Sequence, residues 1–430
     1  MTPAPRSPHA ISRRAALGLL GASALAAGGA ALSMPDAVGA SGLPGFRDPV
    51  GPVPEGLRPG GEFDRFVRRQ AEQDLFSGTF LLAHRGRPVL AGSFGMADKA
   101  LAVRNTLDTR FALASVTKAM TGTAVVQLAQ RGVLALPATL GTYLGGFPSA
   151  IANAVTIHQL LTMTSGMGNY NVGTNWLQEA PTWTTPAQVL EGTMAIIRQQ
   201  PLLFIPGTQY SYSNSGFVVL GAIVQEVTGL PYWDYLRQHV FGPARMTRTD
   251  FYTRPELLAL NASHEVAHPF AAQRSGGRVD VFDTFGTLLY IGLPDGAGGP
   301  HTTAPDMLGF ALALQDGTLL SRSRARQMLN GKFPVTPSAA TNPGVPPDIA
   351  RTWQSWTIGY GLEDTIINDQ HVLGHSGGGP GIGTGLDIYP DLDWVAVVLA
   401  NYDFAPFGVS FETSPIGVLE RRLVTEPAAE

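Results

Sequence analysis

Seven consecutive residues near the C-terminus, Trp394-Val395-Ala396-Val397-Val398-Leu399-Ala400, are all apolar. A half-buried strand alternates apolar and polar positions, and a run this short falls below helix length. It is therefore expected to be a strand covered on both faces, which requires a layer of chain on each side of a sheet. Far earlier, Gly78–Ala83 and Pro88–Phe94 are β-type runs joined by His84-Arg85-Gly86-Arg87, a hairpin turn. His371–Gly374 and Gly385–Tyr389 add two further strands before the apolar run, with Gly/Pro/Asp turns between them. Between these ends the period is helical, with Ala119, Thr123, Val126, Leu128 and Ala129 inside 118–132, then Thr156–Met163 and Phe217–Val227. Phe63, Phe66, Val67 and Ala71 predict a helix over 62–75, and a final amphipathic helix is expected from about Ser414 to Leu423. The fold class that follows is α+β, an α/β sandwich. Its antiparallel sheet is built from N- and C-terminal segments flanked by helices, with a mostly helical region inserted at roughly 119–285.

The chain has 430 residues and is 44% hydrophobic, enough for a large core without disulfides. It has no cysteine, which excludes thiol nucleophiles, Cys-ligated zinc and iron–sulfur clusters. Formal charge is 29 basic against 33 acidic residues, −4, with no basic run beyond pairs such as Arg68-Arg69 and Arg421-Arg422. No nucleic-acid partner is expected. Ser12-Arg13-Arg14-Ala15-Ala16-Leu17-Gly18, an Ala/Gly/Leu run to about Leu32 and the small residues Ala37-Val38-Gly39-Ala40 have the layout of a twin-arginine-type signal peptide. Cleavage of residues 1–40 is expected, leaving 26 basic and 32 acidic residues, −6, with no stable membrane anchor. The mature protein is expected to be exported, periplasmic or extracellular, and a monomer. Residues 41–60 have the Gly/Pro content of a linker, and 61–430 are taken as one domain.

Four constellations could carry chemistry. Ser115-Val116-Thr117-Lys118 opens the helix over 118–132. A serine there meets the positive end of the helix dipole, and a lysine three positions on lies on the same face. A desolvated lysine can then act as base toward the hydroxyl. The bland alternative is a capping serine beside a solvated lysine, and S-x-x-K alone does not exceed it. His264-Glu265-Val266-Ala267-His268 is a literal H-E-x-x-H, a zinc motif when helical. Pro269 follows directly and ends any helix where the second ligand would sit, so no metal is expected. Gly374-His375-Ser376-Gly377-Gly378 is a literal G-x-S-x-G, but a nucleophile elbow needs a helix after it, and Gly/Pro residues follow instead. Asp387, Asp391 and Asp393 could supply a carboxylate pair, though solvated turn residues are the expectation there.

The first constellation gains weight from two others in fixed order. Tyr212-Ser213-Asn214 precedes a helix, and His375-Ser376-Gly377 ends a strand. S-x-x-K, then Y-x-N, then a basic/hydroxyl/Gly triplet resembles the penicillin-binding-protein/β-lactamase serine hydrolases, in the class C, DD-peptidase and esterase branch. Thr156–Gly166, Gly298–Met307 and Gly359-Tyr360-Gly361-Leu362 resemble recurrent segments of the same family. The resemblance implies an acyl-enzyme on Ser115, with Lys118 and Tyr212 sharing its proton and Asn214 holding Lys118 and the substrate amide. It also implies that His375 and Ser376 line the cleft and that the Ser115 and Gly378 N–H groups form the oxyanion hole beside Gly377. No cofactor is implied, and the substrate is a small molecule or peptide. His375 stands where many β-lactamases carry lysine, and Gly378 where carboxypeptidase relatives carry a hydroxyl residue. An ester or a D-amino-acid-type amide is thus expected rather than a β-lactam or a free carboxylate. A classical class C β-lactamase or DD-carboxypeptidase is the alternative enzyme, and a non-catalytic penicillin-binding-like envelope protein is the alternative from another class.

Overall fold

The structure is a computed structural model that describes residues 53–183, 185–284, 297–335, 354–404 and 409–426. The expected signal segment and most of the expected linker lie outside these residues.

Eight strands form one antiparallel sheet: β1 (Gly78–His84), β2 (Arg87–Phe94), β3 (Phe333–Pro334), β4 (Ser355–Ile358), β5 (Glu363–Ile367), β6 (Gln370–Gly379), β7 (Ile382–Tyr389) and β8 (Trp394–Ala400). Their spatial order is β2-β1-β8-β7-β6-β5-β4-β3. The first hairpin therefore docks beside the last strand, with Gly78 opposite Ala400 and His84 opposite Trp394.

Every residue of β8 is buried, as its apolar run requires. Val395, Val397 and Leu399 face one apolar layer with Leu81 and Ala83 of β1. Trp394, Ala396, Val398 and Ala400 face the other with Phe80 and Leu82. The second layer is completed by α1 (Glu62–Glu72), through Phe63, Val67 and Ala71, and by α8 (Pro415–Thr425), through Ile416, Leu423 and Val424. The α1 helix stops three residues short of the expected Leu75. The last residues of the Gly/Pro-rich stretch do not behave as a linker either. Glu55–Leu57 makes a single 3-10 turn, and Leu57 is wholly buried in the α1/α8 layer. Proline content marked this segment as irregular, which it is, but not as free.

The other face carries the helical region: α2 (Thr117–Gln130), α3 (Ile157–Leu161), α4 (Pro186–Gln199), α5 (Asn214–Thr228) and α7 (Ala304–Gln315), while α6 (Arg254–Ala262) sets Leu257 against Val266 in a small cluster of its own. The α2 helix is buried nearly all round, from Thr117 to Leu128, and so is the scaffold against which the rest packs. The chain passes it at backbone distance: Gly361 has φ +78°, and a Cβ there would stand 2.2 Å from the Lys118 carbonyl oxygen. Only glycine satisfies both demands.

Candidate active site

Ser115 is held by anchors on both sides of a tight turn. Phe111–Ala112 pairs with His301–Thr302, and the next N–H, of Leu113, bonds to Pro300 O at 2.9 Å. The Leu113 carbonyl accepts the Thr384 hydroxyl of β7 at 2.8 Å. Ala114 then takes φ +50°, a left-handed conformation costing an alanine about 1–2 kcal/mol. Strain of this kind persists only where the surroundings impose it. The 3-10 turn Ala114–Val116 feeds directly into α2, leaving Ser115 half-buried at its positive end.

Lys118 lies one turn on and is fully buried. Its Nζ is 2.9 Å from Ser115 Oγ, 2.8 Å from Asn214 Oδ1 and 3.0 Å from Ala297 O. Asn214 Oδ1 and the Ala297 carbonyl can only accept. The three N–H donors of the Lys118 ammonium are thus matched by Ser115 Oγ, Asn214 Oδ1 and the Ala297 carbonyl. Tyr212 donates its hydroxyl to Ser115 Oγ at 2.6 Å, and its ring centroid lies 4.8 Å from Lys118 Nζ. Burial pushes the Tyr212 phenol well above its ordinary range, against the Ser115 hydrogen bond, with Glu363 and Glu412 adding to the rise. Tyr212 is therefore a proton donor at neutral pH. Tyr212 O–H and Lys118 Nζ thus both donate to Ser115 Oγ, and Lys118 donates as well to Asn214 Oδ1 and the Ala297 carbonyl.

Tyr212 and Asn214 arrive together at the start of α5, which Ser213 caps by accepting the Gly216 N–H at 2.9 Å. Two participants escaped the sequence reading. Ala297 contributes only a carbonyl, which no side-chain motif records. Asn169 touches the Tyr212–Asn214 backbone through its carboxamide, from the loop that follows Thr156–Gly166.

The opposite wall is β6. Its neighbour β5 pairs with it only as far as Gly374, so His375–Gly379 project past it beside the Ser115 turn. Gly377 makes the closest approach, since a Cβ there would fall 2.5 Å from Leu113 O and 3.1 Å from Ser115 N. At Gly378 a Cβ would meet nothing within 4 Å. Ser376 is half-buried within the strand. His375 reaches the site without joining this network. Its ring centroid is 6.2 Å from that of Tyr212, and its Nδ1 donates to Ser376 O at 2.5 Å. Among the described residues its buried Nε2 has no partner. Burial, with Lys118 adding to it, depresses the imidazole to about 3, so His375 is neutral here.

The competing motifs are placed elsewhere. The α6 helix ends at Ala262, and His264 sits after it in the left-handed region at φ +58°. Glu265 pairs with Arg110, while the buried His268 bonds to Asp280 at 2.6 Å and to Asn261. The two histidines share no helical face, as Pro269 implied. The G-x-S-x-G segment runs straight through β6, with no helix after it. Asp391 and Asp393 do flank the exposed β7–β8 turn. Asp387 corrects the expectation of a solvated turn residue: it is 1% exposed inside β7 and takes a bidentate pair from Arg421 of α8 at 2.7 and 2.9 Å.

Comparison with known proteins places this geometry. PbpX of Bacillus subtilis (strain 168), named for the penicillin-binding proteins, is 31% identical over 280 residues, 63% of this chain and 65% of that one. The match thus spans slightly less than two thirds of that relative's length. Esterase EstB of Burkholderia gladioli is 28% identical over 333 residues, covering 75% of this chain and 76% of the esterase. Among solved structures, a penicillin-binding protein from Bacillus halodurans superposes with TM-score 0.64 at 26% identity, over 78% of this chain and 94% of that one. The family model described as Beta-lactamase matches residues 63–411. That match begins inside α1 and ends just short of α8, taking in the whole sheet and everything inserted in it, and the chain belongs to the Beta-lactamase family of serine hydrolases.

Proposed function

We propose that this protein is an exported hydrolase that forms an acyl-enzyme on Ser115 with an ester or a D-amino-acid-type amide, and that it turns over β-lactams poorly. The observation that carries this reading is the hydrogen-bond network that joins Ser115 Oγ to Tyr212 and Lys118, and Lys118 to Asn214. In the reacting form Lys118 has given up one proton, and Ser115 Oγ attacks the substrate carbonyl carbon as its own proton passes to the Lys118 amine. Backbone N–H groups of Ser115 and Gly378 receive the oxyanion. Collapse of the tetrahedral intermediate breaks the bond to the leaving alkoxide or amine, which takes the Tyr212 proton, and Lys118 restores that proton to Tyr212. Water then attacks the acyl carbon and gives its proton to the same pair, freeing the acid and Ser115.

Two features favour an uncharged acyl donor. His375 is neutral, so this wall offers no fixed cation to a substrate carboxylate. The space beside Gly378 is open, with no hydroxyl to add a second contact. The similarity to an esterase along most of both chains agrees with this. Export rests on the basic, apolar and small-residue order of residues 12–40.

Intact-mass spectrometry after exposure to a fluorophosphonate, and separately to a penicillin, tests the reading. A single adduct with the fluorophosphonate, absent in Ser115→Ala, is expected, with little or none from penicillin. An adduct that persists in Ser115→Ala removes the nucleophile. Rapid nitrocefin turnover lost in Ser115→Ala would return the protein to the β-lactamases proper. No adduct with either probe would favour the binding-protein alternative.

A further inference from the structure

The segment Tyr212–Asn214 must deliver two side chains to one nucleophile, and little slack is available. Tyr212 Oη lies 2.6 Å from Ser115 Oγ, and Asn214 Oδ1 lies 2.8 Å from Lys118 Nζ. We infer that Asn169 is a positioning residue of this reaction: its single carboxamide clamps the backbones of Tyr212 and Asn214 together. The inference rests on the serine-hydrolase reading of Ser115.

The Asn169 Oδ1 accepts the Asn214 N–H at 2.8 Å, and its Nδ2 donates to the Tyr212 carbonyl at 3.3 Å. Asn214 is the first residue of α5, so its N–H has no partner within the helix. The Ser213 hydroxyl, between them, donates to Gly168 O at 2.9 Å. Three successive residues are thus zipped onto Gly168-Asn169. The clamp is itself anchored. Asn169 O accepts from the Val172 N–H at 3.1 Å and from Gln200 Nε2 at 3.4 Å. The adjacent Tyr170 is buried against Trp176, with ring centroids 5.1 Å apart. An asparagine that merely shapes its own loop bonds to positions a few residues away. Here the two carboxamide partners lie 43 and 45 residues along the chain.

The test pairs Asn169→Leu, which removes both bonds at similar volume, with Asn169→Asp. The second keeps the acceptor for Asn214 but sets an oxygen against the Tyr212 carbonyl. Three quantities are read: the single-turnover rate of Ser115 phosphonylation by a fluorophosphonate, kcat and KM for an activated ester, and hydrogen exchange of the Asn214 amide. A displacement of about 1 Å at a reacting centre costs on the order of 10²-fold. Asn169→Leu should therefore slow phosphonylation and kcat by about that factor while KM stays within about twofold. The Asn214 amide should exchange at least about tenfold faster, with the rest of α5 unchanged. Asn169→Asp should restore its protection and part of the rate. Phosphonylation of Asn169→Leu within about threefold of wild type overturns the inference. So does a loss of rate with the Asn214 amide still protected. A wild-type protein that forms no Ser115 adduct would sink the hydrolase reading instead. The exchange arm then still decides, because unchanged Asn214 protection in Asn169→Leu overturns the clamp by itself.

Discussion

At the scale of single residues, two buried histidines that stay neutral leave a signature in acid. Burial depresses His375 to about 3 and His301 to about 4, with Lys118 and Arg110 respectively adding to the effect. In the unfolded chain both titrate near the ordinary value of about 6.5. Between those values the unfolded state binds protons that the folded state refuses, so stability rises with pH. It is fully present above about pH 6.5 and is lost as pH falls toward 3 to 4. Urea unfolding at a series of pH values should show this, and His375→Gln should flatten the slope between pH 4 and 6 by about 1.4 kcal/mol per pH unit. An unchanged slope would mean that His375 charges in the folded protein. How far such residues could be seen beforehand depends on locality. Ser115 and Lys118 are three apart, so helix geometry alone joins them. Tyr212 and Asn214 required a resemblance, because no local rule brings residues 97 positions apart to one hydroxyl. The neutrality of His375 depends on what covers it, which lies wholly in the tertiary structure.

At the scale of elements, β6 shows how a strand that ends in three glycines can serve as a wall. The residues from Gly374 to Gly379 have poor strand propensity and resemble a loop when taken alone, so the expected strand stops at Gly374. Their ladder to β7, from His375↔Leu386 to Gly379↔Ile382, holds them extended. Two adjacent glycines then play opposite parts. Gly377→Ala would drive a methyl into Leu113 O and the Thr384 hydroxyl, 2.5 and 2.2 Å away, and lever the strand off the Ser115 turn. A stability loss of about 1–3 kcal/mol is expected, with phosphonylation slower by on the order of 10²-fold. Gly378→Ala meets open space and should unfold within about 0.5 kcal/mol of wild type. Thermal melts and probe kinetics on the pair check this, and equal behaviour of the two variants would refute it.

At the scale of the whole molecule, the last helix is fastened to the sheet by a buried ion pair. Asp387 of β7 and Arg421 of α8 are 1% and 3% exposed. Arg421→Met strands a buried carboxylate and should cost about 3–5 kcal/mol in urea unfolding, most of it recovered in Asp387→Leu/Arg421→Met. A single-variant cost below about 1 kcal/mol would show that packing alone holds α8. Arg421-Arg422 gave no sign of this in the sequence, because which arginine of an adjacent pair turns inward is decided by the acid waiting in β7. The β1–β8 ladder has a different consequence, for the birth of the protein. It joins residues 78–84 to residues 394–400, so this ladder closes only after more than 300 further residues have left the ribosome. Until then β1 and β7 present open, apolar edges, and the nascent chain depends on rapid completion or on chaperones to avoid pairing with its neighbours.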